Sequence, residues 1–353
     1  MYRDRIDKLV NILKKENVNG YLMDKQSDLF YFTGISKLNG YWLLITDKQK
    51  VIFFLPELLL QQIKDIFKNK NETKNIEFIK IKKISEDLKQ CLIKNNIKII
   101  GVDPEKISYS SLMKLKKHFH IKLLPNLIDK LRMIKTQEEI NNIKISCQYA
   151  VKIMKEIKNY IKPGLTEKQI YKKILHLILN YDLEPSFEPI VASGVNSSYP
   201  HHISDNTVIK QNDIVLIDLG CKYNGYCSDL TRIFFLGKIE KSVIMLFDIL
   251  KKVQKKIIEN IKPNKKASEL DFIARKLLEK YNLEDKFIHN TGHGIGIKIH
   301  EIPMISQKEK LTLQPNMIIT IEPGIYMPNM YGFRIEDCVL VKNNTIEILT
   351  KGI

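Results

Sequence analysis

The chain has 353 residues, 44% apolar and 27% charged, the make-up of a globular protein too long for one small core and suited to two domains. Its net charge of +17 invites a nucleic-acid reading, but the lysines are scattered singly and in pairs among Ile and Asn. With no dense basic block and no basic-aromatic stripe, no specific nucleic-acid partner is expected.

In chain order, MYRDRIDKLVNILKK opens with Ile6, Leu9, Val10 and Leu13 at helical spacing, so a helix is expected over about 3–16. That layout is amphipathic, unlike the charged-then-apolar order of a signal peptide, and a cytoplasmic location is expected. GYLM, YWLLI and VIFFL then read as short buried strands. The longest apolar run, VIFFLPELLL, is broken by Pro56 and Glu57 and falls short of the roughly 18–20 residues of a membrane span. Next come the strand IEFIKI, a helix near 84–94, the strand IKIIGVD, a helix near 108–118 and the strand IKLLP. Strands alternating with helices predict an α/β domain. Pro125 and Asn126 punctuate the chain, so the first domain is placed at 1–128 and the second at 129–353.

The second domain opens with a long helix capped by Thr136-x-x-Glu139. It also contains a repeat: YIKPGLTEKQI at 160–170 matches NIKPNKKASEL at 260–270. In both copies a long helix ends before the proline, which cannot continue a helix, and a second helix follows, capped by Thr166-x-x-Gln169 or by Ser268-x-x-Asp271. The expectation is an α+β domain made of two related halves around a pseudo-twofold axis, with a site between them.

Four islands there hold polar groups in apolar or glycine-rich settings. In IDLGCKYNGYCSDLTR, Asn224-Gly225 is a hairpin signal. The register it sets faces Tyr223 with Tyr226 and Gly220 with Asp229, which puts Asp218 and Asp229 on one face as diagonal neighbours. In the same register Cys221 and Cys227 face apart. Like Cys91, Cys147 and Cys338 they are read as reduced thiols, five being odd and none in CxxC spacing. HNTGHGIGIKIHE carries His289, His293 and His300, IITIEPGIY carries Glu322, and GFRIEDCVLV carries Arg334 and Glu336. Taken singly, each has a plainer reading as a turn, a bend or a solvated strand edge. Gathered together, Asp218, Asp229, Glu322 and Glu336 bring four negative charges that burial would make costly. Two divalent cations supply the balance, with His293 as a neutral nitrogen ligand. Such a ligand set suits Mn2+, Co2+, Fe2+ or Zn2+, and paired ions are a device for activating water and polarising a carbonyl.

The ordered set IDLG…CSDLTR…HNTGHGIG…IEPGIY…RIED resembles the pita-bread metallopeptidases, the superfamily of methionine aminopeptidase, prolidase and aminopeptidase P. IVASGVNSSYPH, GIGIKIHE and FRIED are similar to its proline-specific branch. The likeness extends to NGYLMDKQSDLFYFTG and LRMIKTQEEI, and so covers nearly the whole chain. It implies a creatinase-N-like first domain and a pita-bread catalytic domain. The implied metal ligands are Asp218, Asp229, His293, Glu322 and Glu336, with Asp229 and Glu336 bridging two ions, of which Mn2+ is favoured. His201 and His300 match the family's substrate-side histidines, and Arg334 an arginine near the metals. His201 is chosen over His202 because it directly follows the proline. His289 is expected behind the ligands. The implied activity is hydrolysis of short peptides with proline second, by an Xaa-Pro aminopeptidase that is a homodimer. The alternative is a dipeptidase confined to Xaa-Pro, or, further off, a non-catalytic binding protein of the same fold.

Overall fold

Ile6, Leu9, Val10 and Leu13 are all buried on one face of helix α1 (Arg3–Lys15). It leads into the first of two compact units, Met1–Arg132 and Met133–Ile353, of a computed structural model that describes residues 3–69 and 75–352. The expected boundary at 128/129 falls inside a helix, Leu127–Met133, so the division between units comes at its last turn.

The first unit is a mixed six-stranded sheet of β1 (Gly20–Met23), β2 (Trp42–Thr46), β3 (Val51–Leu55), β4 (Ile76–Lys80), β5 (Ile99–Val102) and β6 (His120–Leu123). Their order is β4-β3-β2-β1-β5-β6. The pairs β1–β2 and β2–β3 are antiparallel and the others parallel. Every residue of β3 is buried, as an interior strand covered on both faces requires. Three helices were not legible beforehand, the one at Leu127–Met133 among them. In α2 (Gln26–Thr33) the six residues from Asp28 to Thr33 are all buried, so no one-sided period shows. Past Pro56, α3 (Glu57–Asn69) follows, with Ile63 and Phe67 buried one turn apart. The expected helices at 84–94 and 108–118 form as α4 (Ile84–Lys94) and α5 (Tyr109–Lys116), and α6 is the helix at the boundary.

The second unit shows the duplication in its hydrogen bonds. Helices α7 (Gln137–Tyr160) and α8 (Glu167–Asn180) correspond to α9 (Lys241–Glu259) and α10 (Ala267–Glu279). Between the members of the first pair, Gly164 and Glu167 donate to the Ile209 and Thr207 carbonyls, and Ile209 N donates to Leu165 O. One hundred residues on, Asn264 and Ala267 donate to Leu313 and Leu311, and Leu313 N to Lys265 O. Thr136 and Thr166 cap as the sequence predicts, each with its Glu139 or Gln169 reaching back. Ser268 does not cap. The helix begins at Ala267, and Glu269 accepts from Lys266 N at 3.3 Å. Asp271 instead accepts from the backbone and hydroxyl of Thr291.

Each helix pair covers its own sheets. In the first half these are β7 (Glu184–Pro185), β8 (Ile190–Ser193), β9 (Asp213–Leu219), β10 (Cys221–Tyr223), β11 (Tyr226–Cys227) and β12 (Leu230–Leu236). They are arranged as β12-β9-β8 and β11-β10-β7. The second half has β13 (Gly292–Gly294), β14 (Glu301–Ile305), β15 (Ile318–Ile321), β16 (Gly324–Met327), β17 (Tyr331–Arg334), β18 (Asp337–Val341) and β19 (Ile346–Ile348). These form β14-β13-β15-β18-β19 and the hairpin β16-β17. Ile153, Ile157, Ile174 and Ile217 sit in one half's core, and Leu250, Ile257, Leu270 and Ile319 in the other's.

Candidate metal centre and active site

Asn224 (φ 48°) and Gly225 (φ 82°) make the turn the sequence predicts, and Tyr223 pairs with Tyr226. The register runs on to Leu219↔Leu230 and Asp218↔Thr231. Between these pairings the hairpin leaves one sheet and enters the other. A side chain on Gly220 would fall on the Ser228 carbonyl, which makes glycine necessary there. Asp218 and Asp229 flank this crossing and line one cavity of about 790 Å³ in the second unit.

His293 on β13, Glu322 just past β15 and Glu336 just before β18 line the same cavity, as do His201, His300, Arg334 and His289. All the residues singled out from the sequence are thus brought together. One ligand atom each from Asp229, His293 and Glu336 lie within 4.8 Å of one another. His293 Nε2 is 3.4 Å from Glu322 Oε1 and 3.7 Å from Asp229 Oδ2. His201 and His300 are both exposed, with the His300 ring 4.4 Å from that of His293.

Asp218 and Glu336 are each held by one oxygen and free at the other. Arg334 Nη2 donates to Asp218 Oδ2 at 2.7 Å and the Thr231 hydroxyl to Glu336 Oε2 at 2.7 Å. Asp218 Oδ1, Asp229 Oδ1 and Glu336 Oε1 are buried with no hydrogen-bond partner. Unpartnered buried carboxylate oxygens are costly. Burial, with the charges of Glu336 and Asp218, holds the Asp229 carboxyl well above its usual range. Burial and the charges of Glu322 and Asp218 do the same to Glu336, and burial pushes Glu322 up to about 7. One guanidinium cannot balance four carboxylates.

The histidine is prepared to match. Nδ1 of His293 is 2.9 Å from the Gly294 carbonyl, which can only accept, so Nδ1 carries the hydrogen and Nε2 presents a lone pair to the cavity. Burial lowers its pKa to about 4, leaving the ring neutral near pH 7. Free oxygens and a bare imidazole nitrogen in one pocket are the donor set that divalent cations require.

Behind these groups lies a layer of which the sequence reading named only Arg334 and His289. Arg334 Nη1 donates to the Tyr326 hydroxyl at 2.8 Å and to Pro200 O at 3.2 Å, and Nε to Thr231 Oγ1 at 3.2 Å. His289 Nδ1 faces the Asn290 carbonyl, which leaves Nε2 to accept from the Tyr326 hydroxyl at 3.0 Å. Thr320 Oγ1 takes the His293 backbone N–H at 3.0 Å and donates to Glu322 at 3.4 Å. Thr231 and Thr320 sit two residues along a strand from Asp229 and Glu322, so period-2 spacing could have found them. Tyr326 carried no such signal. Every Arg334 nitrogen is engaged by the protein, so its part is to orient Asp218. His202, set aside from the sequence, lines the cavity beside His201. The five cysteines are buried thiols outside any disulfide.

Duplicated halves around a pocket of carboxylates and imidazole define a metal-dependent hydrolase. The chain belongs to metallopeptidase family M24, whose pattern matches residues 141–343, behind a creatinase/prolidase N-terminal domain matching residues 5–134. An Xaa-Pro dipeptidase of Pyrococcus furiosus is 35% identical over 353 residues, 99% of this chain and 98% of that protein. Among solved structures, an Xaa-Pro dipeptidase from Bacillus anthracis superposes with TM-score 0.92 at 28% identity, covering 99% of this chain and 98% of that one. An X-Pro aminopeptidase from Thermotoga maritima gives 0.87 at 27%, with coverage of 99% and 98%. The pita-bread fold expected from the sequence is the fold observed.

Proposed function

We propose that this chain is a dinuclear metallo-exopeptidase that hydrolyses the bond between an N-terminal residue and proline, with Xaa-Pro dipeptides as its substrates. The observation that carries the reading is the convergence of four carboxylates and His293, with three buried oxygens unpartnered. The dipeptide preference replaces the aminopeptidase expectation because a relative 35% identical over 99% of this chain is named an Xaa-Pro dipeptidase. The aminopeptidase reading remains the second one, supported by the likeness to the Thermotoga maritima protein.

Asp218, Asp229, His293, Glu322 and Glu336 would hold two divalent cations, Asp229 and Glu336 being shared. Mn2+ is the leading candidate over Co2+, Zn2+ and Fe2+. When bound, such ions bring the pKa of water toward neutrality and polarise a carbonyl. The remaining work falls to the chain. Glu322 takes a proton from the attacking water and returns it to the prolyl nitrogen as the C–N bond breaks. His201 and His300 donate hydrogen bonds to the developing oxyanion and to the product side. Arg334, through Asp218 and Tyr326, keeps the ligand layer aligned. The prolyl amide nitrogen carries no hydrogen, so the pocket must accept a ring there. The substrate's free amine beside the carboxylates limits attack to the chain end. A homodimer and a cytoplasmic location complete the proposal. Thiols outside any disulfide fit the latter, and no helix among the described residues is long and apolar enough to cross a membrane.

The test is a peptide panel on chelated enzyme with metals added back. Mn2+ is expected to restore cleavage of Xaa-Pro and not of Xaa-Ala. Equal rates on Xaa-Pro and Xaa-Pro-Yaa would select the aminopeptidase reading, and no cleavage with any divalent ion would reject both.

A further inference from the structure

We propose that Glu167, a buried residue outside the cavity wall, is the positioning residue for His201, which it holds toward the reacting carbonyl through the neighbouring His202. The inference rests on the role given to His201 in the proposed reaction and deepens it.

His201 lies on a stretch with little regular structure of its own. β8 ends at Ser193, a 3-10 turn takes up Gly194–Ser198, and from Tyr199 to Asn212 the chain forms neither helix nor strand. The imidazole, exposed at the cavity, is therefore not placed by an element of its own. A reacting group displaced by about 1 Å can cost about a hundredfold in rate, so side chains must do the placing.

They converge on one carboxylate. Glu167 is fully buried in the first turn of α8, whose start is set by the Thr166–Gln169 capping box. Its Oε1 accepts from Ser193 N at 2.7 Å, Ser193 Oγ at 2.9 Å and Asn196 Nδ2 at 3.0 Å. Its Oε2 accepts from His202 Nε2 at 2.6 Å and Asp205 N at 3.3 Å. Each of these donors belongs to the stretch 193–205 that carries His201. The carboxylate only accepts, so His202 presents Nε2–H to it, and a neutral ring suffices. On the other side of His201, Arg334 Nη1 donates to Pro200 O at 3.2 Å. The histidine is thus tied at the residue before it and at the residue after it.

The carboxylate has no other evident employment. Asp205 brings a further carboxylate oxygen within 4.8 Å of the Glu167–His202 pair, but its Oδ1 takes Thr207 N at 2.7 Å. The five donors fill the roughly four acceptor positions of Glu167 and leave none for a cation. Nor does the repeat itself call for an acid here. Ala267 takes the same place at the start of α10, its N–H on Leu311 O as that of Glu167 is on Thr207 O. The connection that Ala267 meets, residues 306–317, holds no histidine. The carboxylate stands in the half whose connection bears His201.

The experiment measures Leu-Pro hydrolysis by Mn2+-loaded wild type, His202→Ala, His202→Gln and Glu167→Ala, and repeats the three substitutions in a His201→Ala background. His202→Ala and Glu167→Ala are expected to lower kcat about tenfold or more with KM within about threefold, because the bond from His201 to the oxyanion forms only in the transition state. His202→Gln keeps an N–H for Glu167 and should bring kcat back to within about threefold of wild type. In the His201→Ala background each substitution should change kcat less than about twofold, since the group they position is gone. If Glu167→Ala does not fold, His202→Ala decides alone, because four donors stay on the carboxylate. Losses that multiply with that of His201→Ala, or a His202→Gln as slow as His202→Ala, would overturn the positioning role and leave the proposed reaction standing. A His201→Ala enzyme as fast as wild type would remove His201 from that reaction, and this proposal with it.

Discussion

Asp229 is a charge the polypeptide alone does not stabilise: it is buried, one of its oxygens has no partner, and Glu336, Asp218 and Glu322 all raise its proton affinity. Replacing it by asparagine removes repulsion together with an oxygen proposed to bridge the two ions. Asp229→Asn is therefore expected to lower Xaa-Pro hydrolysis by about a thousandfold or more, of the order seen when a transition-state group is lost. The melting temperature of the metal-free protein should not fall. Turnover like wild type would contradict the bridging role. The same carboxyls set a pH dependence. In the metal-free fold Asp229, Glu336 and Glu322 bind protons more tightly than in the unfolded chain. Their stabilisation is complete below the unfolded pKa near 4 and is lost as pH rises through their folded values, about 7 for Glu322. His289 and His293, lowered to about 4 mainly by burial, act oppositely, but only below about 6.5, where the unfolded chain takes up protons. Between pH 7 and 8.5 the raised carboxyls set most of the slope, and the buried thiols of Cys91, Cys221 and Cys338, held above the usual range, add to it in the same direction. The metal-free melting temperature should fall across that window and saturating Mn2+ should cancel the fall; a metal-free protein that gains stability there would refute the buried cluster.

At the scale of elements, the hairpin is the device that makes a pair of aspartates from one stretch of sequence. Its turn and register were legible because they are local: Asn-Gly fixes the reversal, and strand parity carries it to Asp218 and Asp229. The need for Gly220 was not legible, since it arises where the two strands pass from one sheet to another. A methyl group there meets the Ser228 backbone, which cannot rotate away as a side chain could. Gly220→Ala should cost about 1–3 kcal/mol in urea unfolding, the range of overpacked cores. It should also depress activity, because both aspartates flank the crossing. Wild-type stability would mean the strands separate freely. The caps at Thr136 and Thr166 were legible for the same local reason. Helix α2 was hidden because burial on every side erases its period. Arg334's orienting part was hidden because Asp218 and Tyr326, on other strands, are joined to it only by the fold. Local rules find ligands and caps, whereas the layer that aims the ligands is assembled from distant segments.

For the molecule as a whole, the second unit has two cores, one for each copy of the repeat. The candidate ligands divide between the halves, Asp218 and Asp229 in the first and His293, Glu322 and Glu336 in the second. Ions bound by both sets act as a cross-link present only in the folded state, since the unfolded chain leaves these residues far apart. A ligand at a hundred times its Kd adds about 2.7 kcal/mol, and for a unit of 150–250 residues each kcal/mol moves Tm by roughly 2–4 °C. Chelation at pH 7.5 should therefore lower the melting temperature of the second unit by roughly 5–10 °C, and Mn2+ should restore it. His293→Ala removes the nitrogen ligand without adding charge. It should abolish most of that gain while the metal-free melting temperature moves less than the gain itself. If the chelated and loaded proteins melt together, or if the variant keeps the full metal-dependent rise, the two halves are not joined through these side chains.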